Sequence, residues 1–238
     1  YRQMGSYEAA LADFDRAIEL DEKYAGAIAS RGETYRQMGS YAAALADLKQ
    51  AITFDEAPYH LENLADLYDD LDEWEQVLAT YARIQEIASG NPYAYNNLGL
   101  KLMARELYEE ALAAFQCRIE MEPETAVSAN LAVTAIHIIR GQNELARDYL
   151  DRAADLLSSQ AGRDLKDASA YDYDVAQYSL YSNREDVLER WHNWLSQYHH
   201  TEKEIGEEID FLQRLAAAPQ PPLAAAAVLE LLNETNSN

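Results

Sequence analysis

The chain has 238 residues, 48% of them apolar, and 42 Asp and Glu against 19 Lys and Arg. The formal charge of −23 repels nucleic-acid phosphates and anionic membrane surfaces, so we expect neither nucleic acid nor membrane as a partner. No stretch approaches the roughly 18 consecutive apolar residues of a membrane span. The single cysteine, Cys117, rules out an internal disulfide framework, and with no secretion signal visible it predicts a cytoplasmic protein.

The chain opens on a sequence repeat. The heptapeptide YRQMGSY occurs at residues 1–7 and again at residues 35–41, and the match continues for six further residues with one difference, Glu8 against Ala42. The offset of 34 residues is the length of one helix-turn-helix unit of a solenoid. A chain of this kind usually works by presenting a surface, so the question becomes what that surface binds.

The repeat continues along the chain as coordinated series of packing residues. The small or β-branched positions are Ala10, Ala44, Val77, Ala111 and Ala146. The large positions that follow them are Phe14, Leu48, Tyr81, Phe115 and Leu150. Within one unit Tyr41, Ala44 and Leu48 lie at i, i+3 and i+7, which is one face of a helix. The small residue therefore lets a neighbouring helix approach, and the large residues fill the gaps on either side.

The helical periodicity of apolar residues predicts the helices, and Gly after one helix and Pro before the next predict where they end and begin. Within the repeats they are residues 7–20, 25–38, 41–54, 58–70, 73–88, 92–105, 108–121, 125–139 and 142–158. The pattern then decays, through a predicted loop at 158–164, into helices at 167–181, 184–198, 202–217 and 223–232. Residues 233–238 are predicted to form a frayed tail.

These features resemble the tetratricopeptide repeat family. The clearest units are RGETYRQMGSYAAALADLKQAI at residues 31–52 and NNLGLKLMARELYEEALAAF at residues 96–115. Departures from the family pattern are Leu102, Arg118, His137 and Asn143. The resemblance implies an all-α, right-handed superhelical solenoid with atypical C-terminal helices. We predict a repeat array at residues 1–157, followed at 158–238 by a degenerate repeat pair and capping helices.

The predicted array begins in the middle of a unit. Residues 1–5 are expected to be the end of a helix whose remainder would precede residue 1, together with more repeats or another domain. The apolar side of the first complete helix would then lack its partner. We therefore expect weak self-association through Tyr7, Leu11 and Phe14.

The resemblance also implies a binding surface. In this family the first helix of each pair faces an inner groove that holds extended peptides or partner helices. The residues expected in that groove here are Glu33, Arg36, Tyr59, Glu62, Asp66, Asp69, Tyr93, Asn96 and Leu100. Glu62, Asp66 and Asp69 lie on one helical stripe, and residues 55–82 hold nine carboxylates and no Lys or Arg. The stripe suits Lys or Arg side chains of a partner protein or peptide. The alternative is a solvated face that only keeps the chain soluble.

Other site types are weaker interpretations of the residues. The clamp that some family members use for a C-terminal carboxylate needs Lys where this chain has Glu62, Asp66 and Leu100. The apolar run at residues 131–139 favours burial under the C-terminal helices over an apolar ligand floor. The neighbouring His199 and His200 point in different directions on a helix, so no metal site is predicted.

No cofactor and no catalytic residue are predicted either. Cys117 has no His and Asp placed around it, and the sequence contains neither a phosphate loop nor a nucleophile elbow. A group of Tyr residues at positions 171–181 is interpreted as packing. The sequence thus predicts a non-catalytic protein-interaction scaffold with an acidic concave groove. The alternative is a sensor or regulatory arm of a larger signalling protein whose enzymatic domain precedes residue 1.

Overall fold

A computed structural model describes residues 7–160, 168–198, 200 and 202–236 of the chain. These residues form α-helices, one 3-10 turn at Pro123–Thr125, and no strand, which confirms the predicted all-α class. The helices are α1 (Tyr7–Leu20), α2 (Ala25–Gln37), α3 (Tyr41–Phe54), α4 (Pro58–Asp70), α5 (Trp74–Ile87), α6 (Pro92–Ala104), α7 (Tyr108–Met121), α8 (Val127–Ile139), α9 (Asn143–Gln160), α10 (Ala168–Tyr181), α11 (Val187–Gln197), α12 (Glu202–Ala216) and α13 (Ala225–Asn236).

The helices follow one another as antiparallel pairs. We call α2, α4, α6, α8 and α10 the A helices, and the helices that follow them the B helices. Helices α2 and α3, α4 and α5, α8 and α9, and α10 and α11 pack as pairs, and α2 also packs on α4 as α8 does on α10. In these four pairs the A helix lies beside its own B helix, and α2 and α8 also lie beside the next A helix.

The chain divides into two compact units, Tyr1–Ala94 and Tyr95–Asn238. In the first unit Ile28, Leu48 and Ile84 are fully buried. The second unit has a core that runs from α8 to α13 and includes Trp191 and Leu212, both fully buried. The predicted boundary after residue 157 lies inside this second unit, and the division at that residue stays a prediction.

The small-residue series lies where helices approach most closely. Its five members are 4% exposed or less, which confirms the repeat register from α1 to α9. Two glycines of the A helices complete the contact. A Cβ placed on Gly32 would lie 3.0 Å from Leu48, and one placed on Gly99 would lie 2.6 Å from the Phe115 ring. The second distance leaves no room for any side chain at that position.

Each A helix ends on the same backbone motif. The second residue after the helix has a left-handed backbone, and the residue following it donates its amide hydrogen to a carbonyl in the last turn. The left-handed residues are Gly39, Asp72, Glu106, Gly141 and Asn183, with φ of 74, 58, 61, 71 and 53°. The bonds include Ser40 N to Tyr35 O at 2.8 Å and Arg184 N to Ser179 O at 3.0 Å. The recurrence at Asn183 shows that α10 and α11 keep the geometry of a repeat after its sequence pattern has decayed.

The structure corrects several predicted helix boundaries. Pro123 opens a 3-10 turn rather than a helix, so α8 begins at Val127. Helix α9 continues to Gln160, through the first residues of the predicted loop, and residues 161–164 of that loop lie outside the described residues. Helix α11 begins at Val187, because residues 183 and 184 belong to the turn motif that ends α10. Helix α13 extends to Asn236, so the predicted frayed tail is helical over residues 233–236.

Helix α8 is apolar around its circumference because it is surrounded by other helices. It packs on α7 and α9 and also contacts α10 and α12. Leu131 and Ile136 are fully buried, and Ile138 is 7% exposed. Burial of residues 131–138 is therefore confirmed.

Candidate functional site

The acidic stripe predicted in the first unit lies on α4. Glu62, Asp66 and Asp69, which we call the α4 stripe, are partly exposed, whereas Leu61, Leu64 and Leu67 of the same helix are buried. Burial and then the charge of Asp66 raise the pKa of Glu62 above its usual value. The stripe therefore places three partly exposed carboxylates on α4.

The charges of the α4 stripe also affect the pKa of Tyr81, a buried residue of α5. Burial raises the pKa of Tyr81 well above the usual range, and the charges of Asp66, Glu62 and Asp69 add to the effect. The electrostatic fields of all three carboxylates therefore overlap at the Tyr81 hydroxyl. Such a field favours a cationic group brought close to α4.

Two other predicted groove residues are already paired within the chain. Arg36 donates from Nε to Glu33 Oε2 at 2.8 Å and from Nη2 to Glu33 Oε1 at 2.9 Å, and its Nη1 bonds to Asp70. The side chains of Arg36, Glu33 and Asp70 are only 15, 12 and 11% exposed. Burial opposes the charge of Arg36, but the bonds and charges of Glu33 and Asp70 outweigh it and raise the pKa of Arg36. This network joins α2 to α4.

Arg36 also neutralises part of the negative charge of residues 55–82. Residues 55–82 contain no cation of their own, yet Asp70 receives Arg36 from α2. Arg83, just beyond the segment, donates to Glu56 at 2.8 and 2.7 Å. Cations from outside the segment therefore pair with Asp70 and with Glu56.

The two predicted aromatic residues lie at the starts of their helices. Tyr59 is 51% exposed at the start of α4, and Tyr93 is 63% exposed at the start of α6. The Tyr59 ring contacts the His60 ring, with 3.9 Å between centroids. Both rings thus present large apolar surfaces to solvent, as the predicted role requires.

The remaining two predicted residues, Asn96 and Leu100, line a cavity of about 590 Å³ in the second unit. Helices α6, α8, α10 and α12 supply most of its wall. Its aromatic surface comes from Tyr173, Tyr181, Trp194 and Phe211. The structure therefore brings Asn96 and Leu100 together with residues from the C-terminal helices.

A chain of polar groups lies in this cavity wall. Gln177 Nε2 donates to the Tyr173 hydroxyl at 2.6 Å, and that hydroxyl donates to Glu208 Oε2 at 2.5 Å. The Ser128 hydroxyl donates to Asp174 Oδ2 at 3.2 Å. Burial raises the pKa of Glu208 to about 7, although the bond from Tyr173 works in the opposite direction.

Sequence reasoning missed this cavity. The Tyr residues of α10 were interpreted as packing, and Tyr181 is indeed 5% exposed, but Tyr173 and Tyr181 also line the cavity. The side chain of Tyr171 lies outside the described residues. The alternation of Tyr and Asp at positions 171–174 was a possible signal. No sequence signal indicated Glu208, because α12 does not follow the repeat register.

The described residues also bear on metal binding and on membrane insertion. In the part of the chain that the structure describes, no three His, Cys, Asp or Glu residues are grouped to hold a metal ion. Cys117 is exposed on α7. None of the described helices combines the length and the hydropathy that a bilayer crossing requires.

Helix pairs that recur every 33 to 35 residues define a helical repeat protein. The family model described as TPR repeat matches residues 1–39, and the model described as tetratricopeptide repeat matches residues 25–58. These matches show tetratricopeptide repeats over residues 1–58 of the chain, and the helix pairs continue the same fold beyond them. The family consists of protein-interaction scaffolds that are generally non-catalytic.

Solved structures support the same fold. The MamA structure shares 19% identity with a TM-score of 0.56, over 68% of this chain and 95% of that chain. PilW, titled a widely conserved type IV pilus biogenesis factor, shares 18% identity with a TM-score of 0.52, over 90% of this chain and 93% of that chain. Yeast Tom70 shares 16% identity with a TM-score of 0.57, over 95% of this chain and 43% of that chain. The sequence matches no curated protein.

Proposed function

We propose that the chain is a non-catalytic cytoplasmic scaffold that binds a basic peptide or partner helix along its A helices. The observation that carries the proposal is the α4 stripe, three carboxylates that act together beside the exposed ring of Tyr59. A carboxylate forms strong charge-assisted hydrogen bonds with Arg or Lys. The aromatic rings of Tyr59 and Tyr93 would contact the apolar parts of the bound chain.

The surface around the stripe is preformed. Arg36 holds α2 to α4 through its bonds to Glu33 and Asp70, so α4 is positioned before any partner arrives. A partner then orders few groups of the scaffold on binding, and less free energy is lost to ordering. In this proposal Glu33 and Arg36 support the surface of the first unit, and Asn96 and Leu100 offer separate contacts within the second unit.

The first test removes the charge of the α4 stripe. The triple variant Glu62→Gln, Asp66→Asn, Asp69→Asn keeps the side-chain shapes and is expected to lower affinity for a basic peptide at least tenfold. A suitable probe is a fluorescent peptide that alternates arginine and serine, titrated by anisotropy. Affinity should also fall with salt, since the Debye length shrinks from about 10 Å at 0.1 M to about 3 Å at 1 M.

A matched control carries the same change of net charge on the first unit. The variant Glu8→Gln, Asp13→Asn, Glu22→Gln alters three exposed acids away from α4 and should bind the peptide as the wild type does. If affinity is indifferent to salt and equal in both triple variants, the stripe serves solubility and the proposal is wrong.

Self-association is a separate part of the proposal. Tyr7, Leu11 and Phe14 on α1 are partly exposed, and apolar side chains on one helix face favour contact with a second copy. Sedimentation velocity over increasing protein concentration should show a weak dimer, and Leu11→Glu should abolish it. A wild-type chain that stays monomeric at high concentration would contradict this expectation.

A further inference from the structure

We propose that the cavity of the second unit binds an arginine side chain of the partner, held between its aromatic rings and the carboxylate of Glu208. This inference rests on the proposed function for the source of the arginine. It goes further by assigning the cavity a ligand chemistry. A cavity of about 590 Å³ holds a whole arginine side chain with adjoining main chain, since ligand sites span about 300 to 1,000 Å³.

The aromatic wall suits a cation. The rings of Tyr173 and Trp194, which both line the cavity, are 4.9 Å apart between centroids, and the fully buried Trp191 packs edge to face against Trp194 at 5.8 Å. A guanidinium group over such faces gains cation–π attraction, which increases where water is excluded. Arginine is favoured over lysine because its cation is more weakly hydrated and stacks on aromatic rings.

Glu208 leaves an acceptor unused. Its Oε2 accepts the Tyr173 hydroxyl, but its buried Oε1 accepts no hydrogen bond from the described residues. A buried acceptor that has no hydrogen bond lowers the stability of the folded chain. A ligand that donates a hydrogen bond to Oε1 would remove that penalty, and its binding free energy would be more favourable by this amount. A guanidinium group is such a donor and also supplies the opposite charge.

The charges that face the cavity favour a cation overall. Asp174 on α10 and Glu207 and Glu208 on α12 are acidic, whereas Arg214 on α12 is basic. Arg214 directs its Nη1 to the carbonyl of Ala104 at 2.9 Å. Part of its charge is therefore directed at the end of α6, where Glu106 Oε1 also lies 3.9 Å from the same nitrogen.

Binding should depend on pH because the cation needs the ionised carboxylate. Burial holds the pKa of Glu208 near 7, so about a tenth of the molecules are ionised at pH 6 and about nine tenths at pH 8. Affinity should therefore rise about tenfold between these pH values. The groups facing Glu208 are Tyr173, Asp174 and Tyr181 on α10, His200, and Glu207 and Arg214 on α12.

The experiment uses the whole chain and Nα-acetyl-arginine amide as the probe, with the neutral citrulline analogue for comparison. Binding is followed by Trp194 fluorescence, with Trp194→Phe identifying the signal. We expect at least tenfold preference for the arginine compound at pH 8, and at least tenfold weaker binding by Glu208→Gln. The matched variant Glu230→Gln, an exposed acid on α13, should bind normally.

Several results would overturn the inference. They are absence of binding, equal binding of the citrulline analogue, and unchanged affinity in Glu208→Gln. Stronger binding of Nα-acetyl-lysine amide, or of an acidic compound, than of Nα-acetyl-arginine amide would also overturn it. A pH dependence that remains in Glu208→Gln would also overturn it.

The α4 stripe separates the two proposals. Its triple variant should bind the arginine compound as the wild type does, because the stripe lies in the other unit. If the basic peptide binds but the arginine compound does not, the proposed function stands and the cavity inference fails. If the arginine compound binds and the peptide does not, the cavity inference stands and the scaffold proposal fails.

Discussion

Replacing Gly99 by Ala is expected to lower the free energy of unfolding of the second unit by about 2 kcal/mol. The added Cβ would lie 2.6 Å from Phe115 Cε1 and 2.8 Å from Cδ1 and Cζ. Phe115 and Ala111 beside it are fully buried, so the ring has no free space to enter. Overpacking of this kind costs up to about 3 kcal/mol, while the higher helix propensity of Ala returns about 1 kcal/mol.

Gly206 provides the matched control for this change. It lies inside α12, and a Cβ placed on it meets no atom within 4 Å. Gly206→Ala is therefore expected to gain up to about 1 kcal/mol from helix propensity alone. Urea unfolding of both variants measures the difference. Equal stabilisation by the two substitutions would show that α6 and α7 do not pack as described.

Changing Glu208 to Gln is expected to alter how stability depends on pH. Burial raises the pKa of Glu208 from 4.5 to about 7 in the folded chain. Between these values the folded state binds more protons than the unfolded state, so the free energy of unfolding falls as pH rises. The contribution of Glu208 is fully present below about pH 4.5 and is lost above about pH 7, a total of about 3 kcal/mol.

The Gln variant does not titrate, so its difference from the wild type isolates this group. Relative to wild type, Glu208→Gln should gain about 3 kcal/mol between pH 4.5 and pH 8. The exposed Glu230→Gln should show no such trend. Parallel stability curves for wild type and Glu208→Gln would mean that the carboxylate is hydrated in the folded chain.

Much of the fold followed from the repeat period. The bounds of α1, α3, α4 and α7 agree with the predicted ranges to the residue. The reason is local: Pro58 opens α4, and the small-residue series fixes which face of each helix is buried. Asp72 and Glu106 adopt the same left-handed turn as Gly39 without being glycine, so residue type alone did not reveal that motif.

The candidate sites were harder to predict because they depend on neighbours in space. Arg36 was expected to face a partner, but it bonds to Asp70, 34 residues further along. That separation is one repeat, so a search for opposite charges one period apart would have found the pair. The cavity offered no such pattern, because Glu208 belongs to a helix outside the repeats and meets Tyr173 only through tertiary packing.

The most direct test of the scaffold proposal is to observe where a basic peptide binds. Amide NMR spectra of the full chain are recorded with the arginine-serine peptide and with its citrulline counterpart. We predict that the arginine peptide shifts the amides around Glu62, Asp66 and Asp69 and that the neutral peptide does not. Shifts confined to the B helices, or identical shifts with both peptides, would contradict a basic partner bound along the A helices.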